Sequence, residues 1–278
     1  MTARRVVSLA GAAVLLMVTC APAHGQIPDR LRRIAQGAGN IARSLLPIST
    51  PKEIEIGRGI ASTIAGRYPV ATDTDLTAYV NLVGLTVAAE WPRPDIAYHF
   101  AVLETPDVNA FAAPGGYIFI TRGALDLMDS ESELAAVLAH EVGHVNRRHV
   151  IEQIRKSDVM RSVQSETGLS GGTLDRVVGT GSNALFMGLS RGDEAEADSI
   201  GLELAYSAGY DPQGLPAFVG KLASHAGEGP LADLMASHPD VAARLAALNR
   251  IVERQGYRGG EVLAERFRSH VPKAGGRE

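Results

Sequence analysis

Cysteine is almost absent from this chain: its 278 residues include one, Cys20. A disulfide framework is therefore excluded, and the fold must rest on a hydrophobic core, which a chain of this length with 45% apolar residues can bury. Blocks of one charge sign are missing too. With 27 basic against 31 acidic residues and no basic run beyond pairs such as Arg147-Arg148, there is no footprint for a nucleic-acid partner. Nor is there an apolar run of the roughly 20 residues that a membrane span needs; the run at residues 6–18 falls short of it. No repeat with a period of about 20 to 50 residues is visible, which excludes a solenoid.

The N-terminus reads as a secretory signal peptide over residues 1–25. Arg4-Arg5 precede the apolar run, and the small residues Ala21, Ala23 and Gly25 follow it, with cleavage placed before Gln26. Cys20 offers a second processing route, as the lipidated N-terminal cysteine of an outer-membrane lipoprotein, although Thr19 before it is larger than such sites favour. Either way the chain is expected to be exported and periplasmic. Residues 26–51 read as an Arg-bearing helical arm ending near Pro47 and Pro51.

Residues 52–90 keep helical spacing, with Thr74 or Asp75 as N-cap for a segment running to Ala89, stopped by Trp91-Pro92-Arg93-Pro94. The period then changes to two. Residues 97–104, 108–113 and 117–121 are short and rich in β-branched or aromatic residues, separated by Pro106-Asp107 and Pro114-Gly115-Gly116, and they predict a small antiparallel sheet. From Gly123 onward the pattern is helical, broken at 168–173, 179–182, 209–212 and 227–230. Strands followed by a run of helices predict an α+β fold with the helices on one face of the sheet. Residues 256–278 form a C-terminal extension whose tail, 273–278, is expected to be disordered.

HEVGH, residues 140–144, lies inside a helical pattern whose apolar side is Leu134, Val137, Leu138 and Val145. Positions i and i+4 differ by only about 40° in azimuth, so His140 and His144 can share one cation, while Glu141 stands about 100° away and beside the metal. Two imidazoles with a carboxylate poised to take a proton from water is the chemistry of a zinc hydrolase. A catalytic zinc needs a third protein ligand. His149 is nine residues after His140, about 180° round a continuous helix, and Arg147 stands where a metzincin has glycine, so His149 is predicted to be a surface histidine. Glu194 and Asp198, i and i+4 on a second helix, share a face: Glu194 can complete a His2Glu site and Asp198 can accept the free ring N–H of a liganding histidine. Asp193, Glu196 and Glu203 are read as surface residues.

With those residues identified, the chain resembles the HtpX and CAAX-prenyl-protease type of zinc metallopeptidase, metallopeptidase family 48, in its soluble exported bacterial branch. The blocks that carry the resemblance are NAFAAPGGYIFITRGAL at 109–125, HEVGH at 140–144, SRGDEAEADSIG with AGYDP within 190–212, and Ser237-His238-Pro239, together spanning a peptidase domain at 52–255. The resemblance implies a mostly helical, minigluzincin-like fold and one zinc ion per chain on His140, His144 and Glu194. It further implies Glu141 as general base, Asp198 behind His140, and Asn109, Ala110, Phe111 and Ala112 as the sheet edge on which an extended polypeptide substrate lies. His238 is implied either as a stabiliser of the oxyanion or as a fourth zinc ligand that keeps the enzyme latent, and the spacing leaves both open. The hydrophobic spans of the family's integral-membrane members are not found after the signal, which argues against an intramembrane or prenylated substrate. The function so implied is zinc-dependent endoproteolysis of misfolded or stalled envelope proteins. Its alternative is an exported chaperone or outer-membrane assembly factor with a latent zinc site. Contact with outer-membrane assembly machinery, which some exported relatives make through a helical-repeat domain, is expected only without that domain, since no such array follows the core.

Overall fold

In a computed structural model of the protein, residues 48–157, 171–224, 238 and 240–272 are described. The expected signal peptide with Cys20, nearly all of the N-terminal arm and the tail at 273–278 lie outside the described residues.

Three short strands form the sheet: β1 (His99–Leu103), β2 (Ala110–Ala113) and β3 (Tyr117–Thr121). Their order is β1-β3-β2, with β3 parallel to β1 and antiparallel to β2. The sheet is thus mixed where an antiparallel one was expected. Each turn does reverse the chain, as its Pro and Gly residues indicate, but the β2–β3 hairpin folds β3 in between, leaving β1 beside β3 and not beside β2. The crossing passes tightly over the start of the next helix: a Cβ on Gly123 would lie 2.1 Å from the Pro106 carbonyl oxygen.

Helices surround this sheet: α1 (Thr50–Arg67), α2 (Thr74–Ala88), α3 (Arg122–Leu127), α4 (Glu131–Arg147), α5 (His149–Lys156), α6 (Gly171–Met187), α7 (Arg191–Ser207), α8 (Gly214–Ser224), α9 (Val241–Gln255) and α10 (Ala264–His270). The α+β class holds, but helices cover both faces. Alternate strand residues point to opposite sides. Phe100, Val102, Ala112 and Ile118 pack with Val80 and Val83 of α2 and Leu138 of α4. Phe111, Ala113 and Phe119 pack with Ile56 and Ile60 of α1, Ile154 of α5 and Val177 of α6. Double coverage is why these strands carry so little polar alternation.

Two local details differ from expectation. Asp73, not Thr74 or Asp75, caps α2, its carboxylate accepting from the backbone N–H groups of Asp75 and Leu76. The expected break at 179–182 is absent, since α6 runs through it. Gly181 there is a contact residue: a Cβ would lie 2.5 Å from Ile60 Cδ1.

A buried carboxylate fixes the end of α4. Glu53 on α1 has no exposed surface; Arg93 donates to both its oxygens at 2.8 and 3.1 Å, and Arg148 Nε lies 2.9 Å from Oε2. Arg148 also donates to the Ile48 carbonyl. Held on both sides, Arg148 adopts φ 58°, ψ 34°, a left-handed conformation that costs a non-glycine residue about 1–2 kcal/mol. It ends α4 and redirects the chain into α5.

Candidate metal centre

The site is built where α4 crosses α7. Ser130 caps α4, its side chain accepting from Glu133 N–H, and the helix is buried from Glu131 to Val145. A capping box starts α7: Asp193 N–H donates to Ser190 Oγ and Ser190 N–H to the Asp193 carboxylate. The helices approach closely because Gly201 faces His140; a Cβ there would be 2.7 Å from His140 N.

This crossing brings His140, His144 and Glu194 together, and His238 joins them from the segment before α9. His140 Nε2 and His144 Nε2 are 3.0 Å apart, and they lie 3.7 and 3.5 Å from the Glu194 carboxylate. Nitrogen and oxygen donors on a tetrahedral zinc, bonded at about 2.0–2.1 Å, would be roughly 3.3–3.4 Å apart. The donors therefore fit a metal of that size. Glu194 Oε1 supports the fit independently: it is buried and, among the described residues, has no hydrogen-bond partner. That oxygen would be costly to bury without a cation.

Electrostatics keep these groups in ligand form. Burial, and then the neighbouring His140, hold the His144 imidazole well below its ordinary range, so it is neutral with a lone pair to give. Burial would raise Glu194, but the His238 imidazole beside it outweighs that and its carboxyl is held well below 4.5. Glu141, 2% exposed, is pushed up, chiefly by burial. His238 Nδ1 lies 2.8 Å from Glu194 Oε2; burial would lower its pKa, but Glu194 and Glu141 raise it.

Asp198 stands behind His140, its Oδ1 3.1 Å from Nδ1. At that distance the ring nitrogen is off the line of a well-formed hydrogen bond. Both Asp198 oxygens accept from Arg244 on α9, at 2.8 and 2.6 Å, and Arg244 NH1 is 3.0 Å from Glu194 Oε2. Burial acts to raise Asp198, yet Arg244 and His140 bring it down to about 2. Arg244 was missed in the sequence; the available signal was an arginine in the first turn of the helix that follows His238.

His149 corrects the sequence reading outright. It is 4% exposed, and its Nδ1 lies 2.8 Å from His144 Nδ1. The 180° argument assumed a continuous helix, and the left-handed turn at Arg148 breaks it. Glu196, read as a surface residue, is only part-exposed and lies 3.1 Å from His149 Nε2. Asp193, also read as a surface residue, is held in the capping box with its side chain only 18% exposed, and Glu203 is exposed as expected.

Of the expected substrate strand, Asn109 and Ala110 line a narrow recess with His140, Glu141, Val137 and Phe218. Phe111 turns to the opposite face against Tyr68, and Ala112 into the core. β2 is the sheet edge. Thr121 N–H donates to the Asn109 carbonyl and Asn109 N–H to Thr121 Oγ1, so by alternation the backbone groups of Ala110 and Ala112 face away from β3, where the Ala110 N–H donates to Asn109 Oδ1.

Comparison with known proteins gives the same region a family. A model of "Peptidase family M48" matches residues 74–252, well over half of the chain. The chain is 29% identical over 250 residues to the β-barrel assembly-enhancing protease of Escherichia coli K12, covering 83% of this chain and 49% of that protein. It is 41% identical over 146 residues to the mitochondrial metalloendopeptidase OMA1 of Arabidopsis thaliana, covering 52% and 29%. With metalloprotease LoiP of Escherichia coli K12 it shares 29% over 174 residues, covering 61% and 66%. The chain thus spans about half the length of the assembly-enhancing protease that it matches.

Proposed function

The chain belongs to peptidase family M48, and from that premise we propose that it is a zinc-dependent metalloendopeptidase that cleaves misfolded or stalled envelope proteins. The observation that carries this reading is the convergence of His140, His144, Glu194 and a buried Glu141 at the end of an edge strand. One zinc per chain, on His140, His144 and Glu194, would supply Lewis acidity that acidifies water and polarises a peptide carbonyl. Glu141 takes the proton from the attacking water and passes it to the leaving amine, and burial, by raising its carboxyl above the usual range, makes it a better proton acceptor. Asp198, fixed by Arg244, holds His140 in place. An extended substrate pairs along the outward carbonyl of Ala110 and the backbone groups of Ala112, with the Ala110 N–H held by Asn109 Oδ1 and Phe111 anchoring the strand from behind, which demands an unfolded chain more than a particular sequence.

His238 belongs to the donor set, and four donors leave a tetrahedral metal no vertex for water. That supports the latent reading, in which His238 withdraws before turnover. Export to the periplasm, with cleavage before Gln26, and contact with outer-membrane assembly machinery complete the proposal; the N-terminal sequence supports the first and the name of the assembly-enhancing protease the second. Purified protein should cleave unfolded casein, and Glu141→Gln should keep its zinc and lose that cleavage. Equal rates in the two would overturn the mechanism.

A further inference from the structure

His144 has two ring nitrogens with different tasks. Nε2 faces His140 and Glu194, so it is the ligand atom. A neutral imidazole that gives its Nε2 lone pair to a metal carries its proton on Nδ1, and that buried N–H requires an acceptor. What lies there is His149 Nδ1, at 2.8 Å, with the two rings nearly perpendicular at 73°. Two ring nitrogens at that distance need one proton between them, so His149 must offer its Nδ1 lone pair and carry its own proton on Nε2. That N–H faces Glu196 Oε2 at 3.1 Å, with Asp193 Oδ1 further off at 3.8 Å, and Arg147 lies 2.6 Å from the other Glu196 oxygen.

We propose that His149 is a positioning residue for the metal site: braced by Glu196, it accepts the Nδ1–H of His144 and so fixes the tautomer and ring orientation of that ligand. The role matches that of Asp198, braced by Arg244, behind His140. Each liganding histidine then has its own brace, one anionic and enclosed, the other a neutral imidazole ending on a part-exposed carboxylate. The left-handed turn at Arg148, held by Glu53, is what places His149 under His144 instead of across the helix.

The inference rests on the zinc reading above and is tested by zinc affinity, measured by chelator competition, rather than by turnover. Wild type that binds no zinc would defeat the zinc reading itself. Given zinc binding by wild type, His149→Phe keeps the ring volume without the acceptor and should weaken affinity about 10- to 100-fold. His149→Asn, which puts an oxygen near the Nδ1 position, should recover much of that loss. In zinc-loaded wild type, two-bond proton–nitrogen correlations should show His149 protonated on Nε2 and bare on Nδ1, a readout that needs no variant. A phenylalanine variant that binds zinc as tightly as wild type, or a His149 protonated on Nδ1 in the zinc-loaded protein, would overturn the proposal.

Discussion

Substituting Gly201→Ala tests the helix crossing on which the site depends. The new Cβ would lie 2.7, 2.8 and 3.1 Å from N, Cα and Cβ of His140. Ordinary carbon contacts are about 3.5–4.0 Å, so α7 and α4 must part by roughly 0.8 Å at that point. Most of what is touched is backbone, which has no rotamer to escape into, so the upper part of the usual overpacking cost of about 1–3 kcal/mol applies. Replacing a helical glycine returns about 1 kcal/mol of propensity. The net expectation is a loss of about 1–2 kcal/mol, read by urea or thermal unfolding of the metal-free protein. Because Glu194 rides on α7 and His140 on α4, zinc affinity should fall as well; ligand placement tolerates only about 0.5 Å. Gly179→Ala is the matched control: it lies inside α6 with nothing within 4 Å of a new Cβ, and should gain up to about 1 kcal/mol. If Gly201→Ala is as stable as Gly179→Ala and binds zinc like wild type, the packing of α4 on α7 described above is wrong.

Other perturbations bear on the charges. Arg244→Met leaves Asp198 and Glu194 buried without their arginine and should cost about 3–5 kcal/mol in the metal-free protein, part of it restored by zinc; unchanged unfolding would contradict the bracing role. His238→Ala should raise casein cleavage while weakening zinc affinity, whereas a fall in cleavage at saturating zinc would favour the oxyanion role. At Glu131, burial acts to raise the carboxyl, but hydrogen bonds from Arg266, Tyr79 and Tyr210 outweigh it and hold it below 4.5. A depressed folded value means stability that is present above 4.5 and lost as pH falls through the folded value. Arg266→Ala should therefore move the acid-unfolding midpoint to higher pH, and an unmoved midpoint would show that the pair contributes nothing.

What the sequence disclosed followed from periodicity. HEVGH and the Glu194/Asp198 pair were readable because i and i+4 on a helix share a face whatever surrounds them. The strands were readable as short β-branched and aromatic runs between turn residues, but which strand lies beside which depends on the crossing over Gly123, and no local pattern encodes it. His149 was misread because one non-glycine residue, Arg148, turns left-handed, and its cause is a carboxylate about a hundred residues earlier. Gly181 looked like a break because a glycine kept for close packing has the same spelling as one kept for a turn. Arg244 stayed hidden because an arginine that braces two acids on another helix leaves no spacing of its own.

The most direct measurement is anomalous diffraction at the zinc edge from crystals of the protein prepared with equimolar zinc. One peak per chain, enclosed by His140 Nε2, His144 Nε2 and the Glu194 carboxylate, is the expected result. A peak elsewhere, or none at that crossing of α4 and α7, would contradict the central claim.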